Sequence, residues 1–239
     1  MLNLLKKIMK TGCVTEPYDG GIVPPRFRGE VAWAEGQCQS CQRCRVACPT
    51  GSIGFSGGRL TIDHSACAFC GQCVAVCEHK ALAHTGEYQL AEMKNQLSGK
   101  IKSILKRSLH IRHVDAGSCN ACDWEMTALT NPIYDLQQYG IDFVPSPRHA
   151  DMLMITGVVT RNLTQALTMT YEATPSPKLV MAVGACAAGG KVFGNSYAIQ
   201  GAVDTIVPVD IYVPGCPPRP AALIYGLLLA LDRLEEVRN

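Results

Sequence analysis

Two stretches of this chain carry cysteines in one repeated spacing, and that repeat constrains the fold more than any other feature. The first runs Cys38-x2-Cys41-x2-Cys44-x3-Cys48-Pro49, and the second runs Cys67-x2-Cys70-x2-Cys73-x3-Cys77. Cysteines this close rarely meet disulfide geometry, but they readily wrap a shared metal centre. Three thiolates on a tight loop cap three corners of a cubane, and the fourth cysteine points away to the other cluster. That logic assigns Cys38, Cys41, Cys44 and Cys77 to one 4Fe–4S cluster, and Cys67, Cys70, Cys73 and Cys48 to a second. The competing reading is two zinc sites. Zinc, however, usually takes paired Cys-x2-Cys knuckles or mixed Cys/His ligands rather than three cysteines per loop plus a fourth. A repeat this short builds little apolar core, so bound metal is expected to share in folding it.

Thirteen cysteines occur among the 239 residues. Four of the remaining five lie at 119, 122, 186 and 216. Short apolar runs at Ile111–Val114, Met152–Ile155, Leu179–Val183 and Val209–Val213 alternate with helix-like segments such as Leu163–Glu172. This alternation predicts a parallel sheet flanked by helices. Cys119-Asn120-Ala121-Cys122, Gly184-Ala185-Cys186 and Pro214-Gly215-Cys216-Pro217-Pro218 each follow one of those runs. In an open parallel sheet the carboxyl ends of the strands line one crevice. Three loops can therefore deliver Cys119, Cys122, Cys186 and Cys216 to a third 4Fe–4S cluster, with Gly117, Gly184, Gly189, Gly190 and Gly215 allowing close backbone approach. The alternative is four unrelated buried thiols. Cys13 is left over and is read as a free thiol.

The formal net charge of +2 gives no sign of nucleic-acid binding. No run of 18 apolar residues marks a membrane span, and the N-terminus lacks the h-region and cleavage site of a secretory signal. Residues 1–10 predict a short amphipathic helix, with Met1, Leu4, Leu5 and Ile8 opposed by Asn3, Lys6, Lys7 and Lys10. Such a helix suits a membrane surface, a partner, or its own domain. Residues 11–28, rich in Gly and Pro, are expected to be extended. Arg59 to Asp63 behind Gly57-Gly58 reads as a short strand. Residues 87–109 read as a linker helix whose Lys94, Lys100, Lys102, Lys106 and Arg107 form either a solvated face or a docking surface. A closing helix is expected from Pro220 to Val237.

Residues 36–84 resemble the bacterial two-cluster ferredoxins; the departure is Glu78, where the repeat has proline in its first copy. An added carboxylate there is expected to lower that cluster's potential. From Lys102 onward the chain closely resembles the small subunit of membrane-bound, energy-converting nickel–iron hydrogenases of the formate hydrogenlyase type. The related 20 kDa subunit of complex I is similar too. The resemblance rests on Cys119-x2-Cys122-x2-Glu125, Pro145-Ser146-Pro147-Arg148-His149-Ala150-Asp151, Thr156-Gly157-Val158-Val159-Thr160-Arg161, Gly184-Ala185-Cys186, and Ile206 to Asp210 followed by Pro214 to Pro218. Complex I subunits usually carry adjacent cysteines at the first site, whereas here two residues separate them. Ala121 replaces the usual glycine. Leu4-x-Lys6-Lys7-x-Met9-Lys10-Thr11-Gly12 and Phe27-Arg28-Gly29 look like the start of the two-cluster ferredoxin subunit of the same complexes.

The resemblance implies a flavodoxin-like α/β domain over residues 110–239. It implies an N-terminal α+β two-cluster ferredoxin domain over 1–86, joined to it by 87–109. It further implies an electron relay of three 4Fe–4S clusters, with Cys119, Cys122, Cys186 and Cys216 holding the one proximal to a nickel–iron centre in a separate large subunit. No further cysteine pair remains here, so no nickel and no catalytic residue are assigned to this chain. Implied partners are that large subunit, membrane-embedded subunits, and an electron-donor module such as a formate or carbon monoxide dehydrogenase. The implied location is peripheral, at the cytoplasmic face of the inner membrane. A complex I-like quinone oxidoreductase is the alternative, and a freestanding carrier a third reading. Glu125 is implied in proton movement or partner contact, or else pairs on its helix. Arg148 and His149 are implied near the cluster or the partner, with a structural ion pair to Asp151 as the simpler alternative. His110 and His113 are read as ordinary surface residues.

Overall fold

The computed structural model describes residues 2–12, 14–15, 23–94, 108–194 and 196–234. In chain order the helices are α1 (Leu2–Thr11), α2 (Arg43–Ala47), α3 (Gln72–Ala75), α4 (Ala121–Ala128), α5 (Arg161–Ala173), α6 (Gly184–Gly189) and α7 (Pro220–Leu231). The strands are β1 (Val31–Trp33), β2 (Ile53–Ser56), β3 (Arg59–Ile62), β4 (Leu82–His84), β5 (Glu92–Met93), β6 (Leu109–Asp115), β7 (Ile141–Phe143), β8 (Met152–Thr156), β9 (Val159–Thr160), β10 (Leu179–Val183), β11 (Ile199–Gly201) and β12 (Ile211–Val213).

The large sheet runs β5-β12-β10-β8-β6-β7. Its five C-terminal strands are parallel. Numbered along the chain, they give the flavodoxin-like order 2-1-3-4-5. Every residue of β8 and β10 is buried, as central strands covered on both faces must be. On one face α7 packs Leu223, Ile224, Leu227 and Leu228 against Met152, Met154 and Met181. The other face buries Leu167 of α5 and Ala187 of α6 with Leu153, Ile155 and Val180. Pro220 starts α7, where a missing N–H costs nothing, and Asp232 ends it in left-handed geometry. The helix therefore stops at Leu231, short of the predicted end, and residues 235–237 of that expectation lie outside the described residues.

The N-terminal unit is small. Its strands form two antiparallel two-stranded sheets, β1 with β4 and β2 with β3. Its apolar core has Val31, Cys44, Ile53, Leu60, Cys73 and Leu82 as buried members. The linker helix expected over 87–109 is not seen in its described parts. Glu92–Met93 instead pairs antiparallel with β12 as the edge of the large sheet. Residues 95–107 lie outside the described residues, as does Cys13.

Candidate functional site

Three cysteine-bearing turns share one local geometry. Gln42, Gly71 and Asn120 take left-handed backbone at φ 61°, 77° and 67°, each directly after a cysteine and directly before a helix. The helix then carries the next cysteine, Cys44, Cys73 or Cys122, into the interior. Ser40 and Phe69 are left-handed as well. Each such non-glycine residue costs on the order of 1 kcal/mol, strain that persists where the surroundings over-determine it.

In space the first eight cysteines fall into two interleaved groups. Cys38, Cys41, Cys44 and Cys77 line one void together with Trp33, Phe55, Leu60 and Leu82. Cys48, Cys67, Cys70 and Cys73 line another with Val31, Ile53, Ile62 and Phe69. Backbone N–H groups already aim at sulfur: Ala81 donates to Cys77 Sγ at 3.3 Å and Phe69 to Cys67 Sγ at 3.4 Å. Such donors tune a bound centre. Burial pushes the Cys73 thiol up to about 11, with Cys67, Cys70 and Cys48 adding repulsion. Burial also acts upward on Cys48, but hydrogen bonds with Thr50 and Ser52 outweigh it and leave that thiol below its usual range. Glu78, the carboxylate expected to lower the potential of its cluster, is ion-paired to Arg43.

The last four cysteines gather at the carboxyl ends of β6, β10 and β12. Burial pushes Cys122 up to about 12, followed by repulsion from Cys186, Cys216 and Cys119. Burial likewise raises Cys186 to about 11, with Cys216 and Cys119 contributing. Gly184 lies between these loops at φ +83°, and a Cβ there would stand 2.9 Å from Cys122 Sγ. Ala185 N donates to Gly215 O at 2.8 Å, which ties the Cys186 loop to the Cys216 loop.

The Cys119–Cys122 loop is held by a polar network with no signature in the sequence. Asp115 Oδ1 accepts from Gly117 N and Ser118 N at 2.8 and 2.7 Å. Asp123 accepts from Ser118 Oγ at 2.5 Å and Thr156 Oγ1 at 2.7 Å. His113 Nε2 stands 3.1 Å from Asp123 Oδ1 and 2.9 Å from Thr156 Oγ1. His113 is thus no ordinary surface residue; burial lowers its pKa against the pull of Asp123 and Asp115. His110 pairs with Asp151 at 3.2 Å. Asp151 therefore takes His110 rather than Arg148 or His149, which are exposed on the turn Pro147–His149. Glu125 is half-buried on α4, its carboxyl raised by burial and pulled back by the Arg219 guanidinium.

The second and third groups are neighbours. Cys70 acts electrostatically on Cys216. Behind them Gly189 abuts the loop before Cys67, and a Cβ on it would lie 2.7 Å from Ala66 Cβ.

The donor chemistry fits iron–sulfur centres. Thiols this buried stay protonated unless a cation takes the proton's place. A zinc site draws four ligands to one ion at about 2.3 Å, whereas a cubane spreads four thiolates over four irons.

The comparisons agree with this chemistry. Residues 119–230 match the family model described as NADH ubiquinone oxidoreductase, 20 Kd subunit, and residues 37–82 match a 4Fe-4S dicluster domain. The chain is 45% identical over 147 residues to a "Probable membrane-bound hydrogenase subunit mbhJ" of Pyrococcus furiosus, covering 60% of this chain and 88% of that protein. It is 44% identical over 152 residues to formate hydrogenlyase subunit 7 of Escherichia coli, covering 64% of this chain and 58% of that protein. A chain in the structure of an archaeal membrane-bound sulfane sulfur reductase, a respiratory membrane complex, superposes with TM-score 0.50 at 35% identity, covering 59% of this chain and 77% of that one.

Proposed function

The chain belongs to the family of the NADH ubiquinone oxidoreductase 20 kDa subunit, and from that premise we propose that it is the iron–sulfur relay subunit of a membrane-bound, multisubunit nickel–iron hydrogenase. Membership in a hydrogenase-type complex as an electron-transfer subunit follows from its relatives. The finer reading assigns three 4Fe–4S clusters: one to Cys38, Cys41, Cys44 and Cys77, one to Cys48, Cys67, Cys70 and Cys73, and the proximal one to Cys119, Cys122, Cys186 and Cys216. Residues 1–86 form the ferredoxin part, 87–109 the connection and 110–239 the small-subunit part. The observation that carries this reading is the series itself: three four-thiol groups in one chain, with Cys70 beside Cys216. When bound, such clusters accept and release single electrons, here between a nickel–iron site in a separate large subunit and a redox partner.

The chain's own residues supply the setting. Cys44, Cys73, Cys122 and Cys186 are buried, and the apolar lining of the voids excludes water. The Asp123 network holds the Cys119–Cys122 loop in place. Trp124, 73% exposed beside Cys122, offers an apolar anchor for the large subunit. Glu125, raised by burial, keeps a proton to higher pH than an ordinary carboxyl at that face. An electron donor such as a formate or carbon monoxide dehydrogenase module would meet the other end of the series.

The purified complex is expected to contain nickel, to evolve hydrogen, and to include a large subunit with two Cys-x2-Cys pairs. Quinone reduction without nickel would move the chain to the complex I-like alternative. Sulfur reduction without nickel, the activity named for the 35% identical structure, would end the hydrogenase reading equally.

Among the described residues no helix is long and apolar enough to cross a membrane. The membrane contact is assigned to α1, at the cytoplasmic face. Leu4, Leu5, Ile8 and Met9 are 55–83% exposed on it, it carries Lys6, Lys7 and Lys10, and it has no acidic residue. An apolar stripe flanked by lysines complements an anionic bilayer. The cluster-loaded chain is expected to float with vesicles containing phosphatidylglycerol and not with pure phosphatidylcholine. Leu5→Glu with Ile8→Glu should weaken that binding about tenfold or more, since each buried side chain contributes about 1.5–3 kcal/mol. Unchanged flotation of the double variant would remove α1 from the membrane.

A further inference from the structure

Between the N-terminal unit and the large sheet lies a cavity of about 450 Å³, lined on one side by Phe27, Arg28, Cys70 and Tyr88 and on the other by Cys216 and Arg219. Arg219 directly follows Cys216-Pro217-Pro218 and precedes α7. Its guanidinium sits 4.7 Å over the Tyr88 ring and 5.6 Å over the Phe27 ring. Those two rings meet edge to face at 6.5 Å. Among the described residues Arg219 forms no ion pair within 4.0 Å. Its Nη1 is buried with no hydrogen-bond partner. Glu125 is close enough only to feel its charge. On the far wall Arg28 donates to the Cys70 carbonyl.

A buried guanidinium N–H without a partner is expensive unless a negative group faces it. The thiolate sites on either side of this cavity would provide that charge, since four thiolates outweigh the positive charge of a cubane's iron–sulfide core. Two negative centres this close repel each other, and each resists an added electron. A fixed cation between them in a low-dielectric gap counters both effects.

We propose that Arg219 is a positioning residue of the relay, whose unpaired guanidinium supplies the positive charge shared by the Cys216 site and the Cys70 site, raises the reduction potential of both, and clamps the two domains by its seat on Phe27 and Tyr88. The inference rests on the reading that those thiols hold 4Fe–4S clusters.

The test is a redox titration of the full chain, followed by electron paramagnetic resonance, with iron counted on the same samples. Arg219→Gln and the longer apolar Arg219→Met are expected to disfavour reduction of the two neighbouring clusters about tenfold, a downward shift of about 59 mV for one electron. The cluster at Cys38, Cys41, Cys44 and Cys77 should stay within a fraction of that shift. Arg219→Lys, which keeps the charge, should recover most of the potential. If the neutral variants lose iron while Arg219→Lys keeps it, the charge is again the cause. Unmoved potentials in iron-replete neutral variants, an equal shift in the lysine variant, or iron loss in all three would overturn the assignment. A wild-type chain without cluster signals would instead sink the relay reading beneath it.

Discussion

Stripping the iron from this chain is expected to unfold residues 31–84 while the six-stranded sheet stays folded. Among the described residues the apolar cluster at the centre of the N-terminal unit is small: its buried members are Val31, Cys44, Ile53, Leu60, Cys73 and Leu82, and two of these are thiols. Its β-structure is a pair of two-stranded sheets, each marginal alone in water. It also holds Ser40, Gln42 and Phe69 in left-handed backbone, strain that only the centre they wrap offsets. Metal binding there is folding free energy. The sheet domain draws instead on two extensive cores either side of β8 and β10. Hydrogen exchange read by mass spectrometry on the holo and chelator-treated chain checks this. Protection should vanish between residues 31 and 84 and persist in β8 and β10. Retained protection in both halves would show that the thiols do not hold the N-terminal unit together.

Replacing one interior ligand at the third group should remove one cluster and leave the other two. Cys122→Ala is the sharpest choice, because that sulfur is buried and feels Cys186, Cys216 and Cys119 together. Iron is expected to fall from about twelve to about eight atoms per chain, three cubanes reduced to two. Electron exchange between the partner and the N-terminal clusters should be lost with it. The small side chain keeps α4 intact, so circular dichroism should hardly change. Cys13→Ala is the matched control and should leave iron at about twelve. Eight irons in the unaltered chain would mean that the C-terminal thiols bind no cluster.

Much of this architecture was legible because its strongest signals are local. The doubled cysteine spacing is contained in short loops, so the interleaved grouping can be read without knowing the fold. Leu179–Val183 is an uninterrupted apolar run, and β10 spans those same residues. The flavodoxin-like sheet and the ferredoxin-type unit came from resemblance and are both seen. The features that are not legible depend on residues distant in sequence. Ile141–Phe143 is too short and too mixed to announce β7. Glu92–Met93 is polar at one position and becomes a strand only because β12 offers an open edge. His113 reads as a surface residue in the sequence because Asp123 and Thr156, which engage it, become neighbours only once β6, α4 and β8 are packed. Arg219 carries no signal in the sequence for the same reason, since the rings beneath it belong to residues 27 and 88.

The two-residue strand at Glu92–Met93 makes the halves of this molecule stitched rather than tethered. It follows the ferredoxin-like unit in the chain yet caps the rim of the other unit, on the strand that leads to Cys216. A C-terminal piece cut after that seam would bare a row of unpaired amides and carbonyls along β12, an open template for another chain's backbone. Carrying the two modules in one polypeptide therefore shields a seam that a free-standing version would have to cover with some other chain.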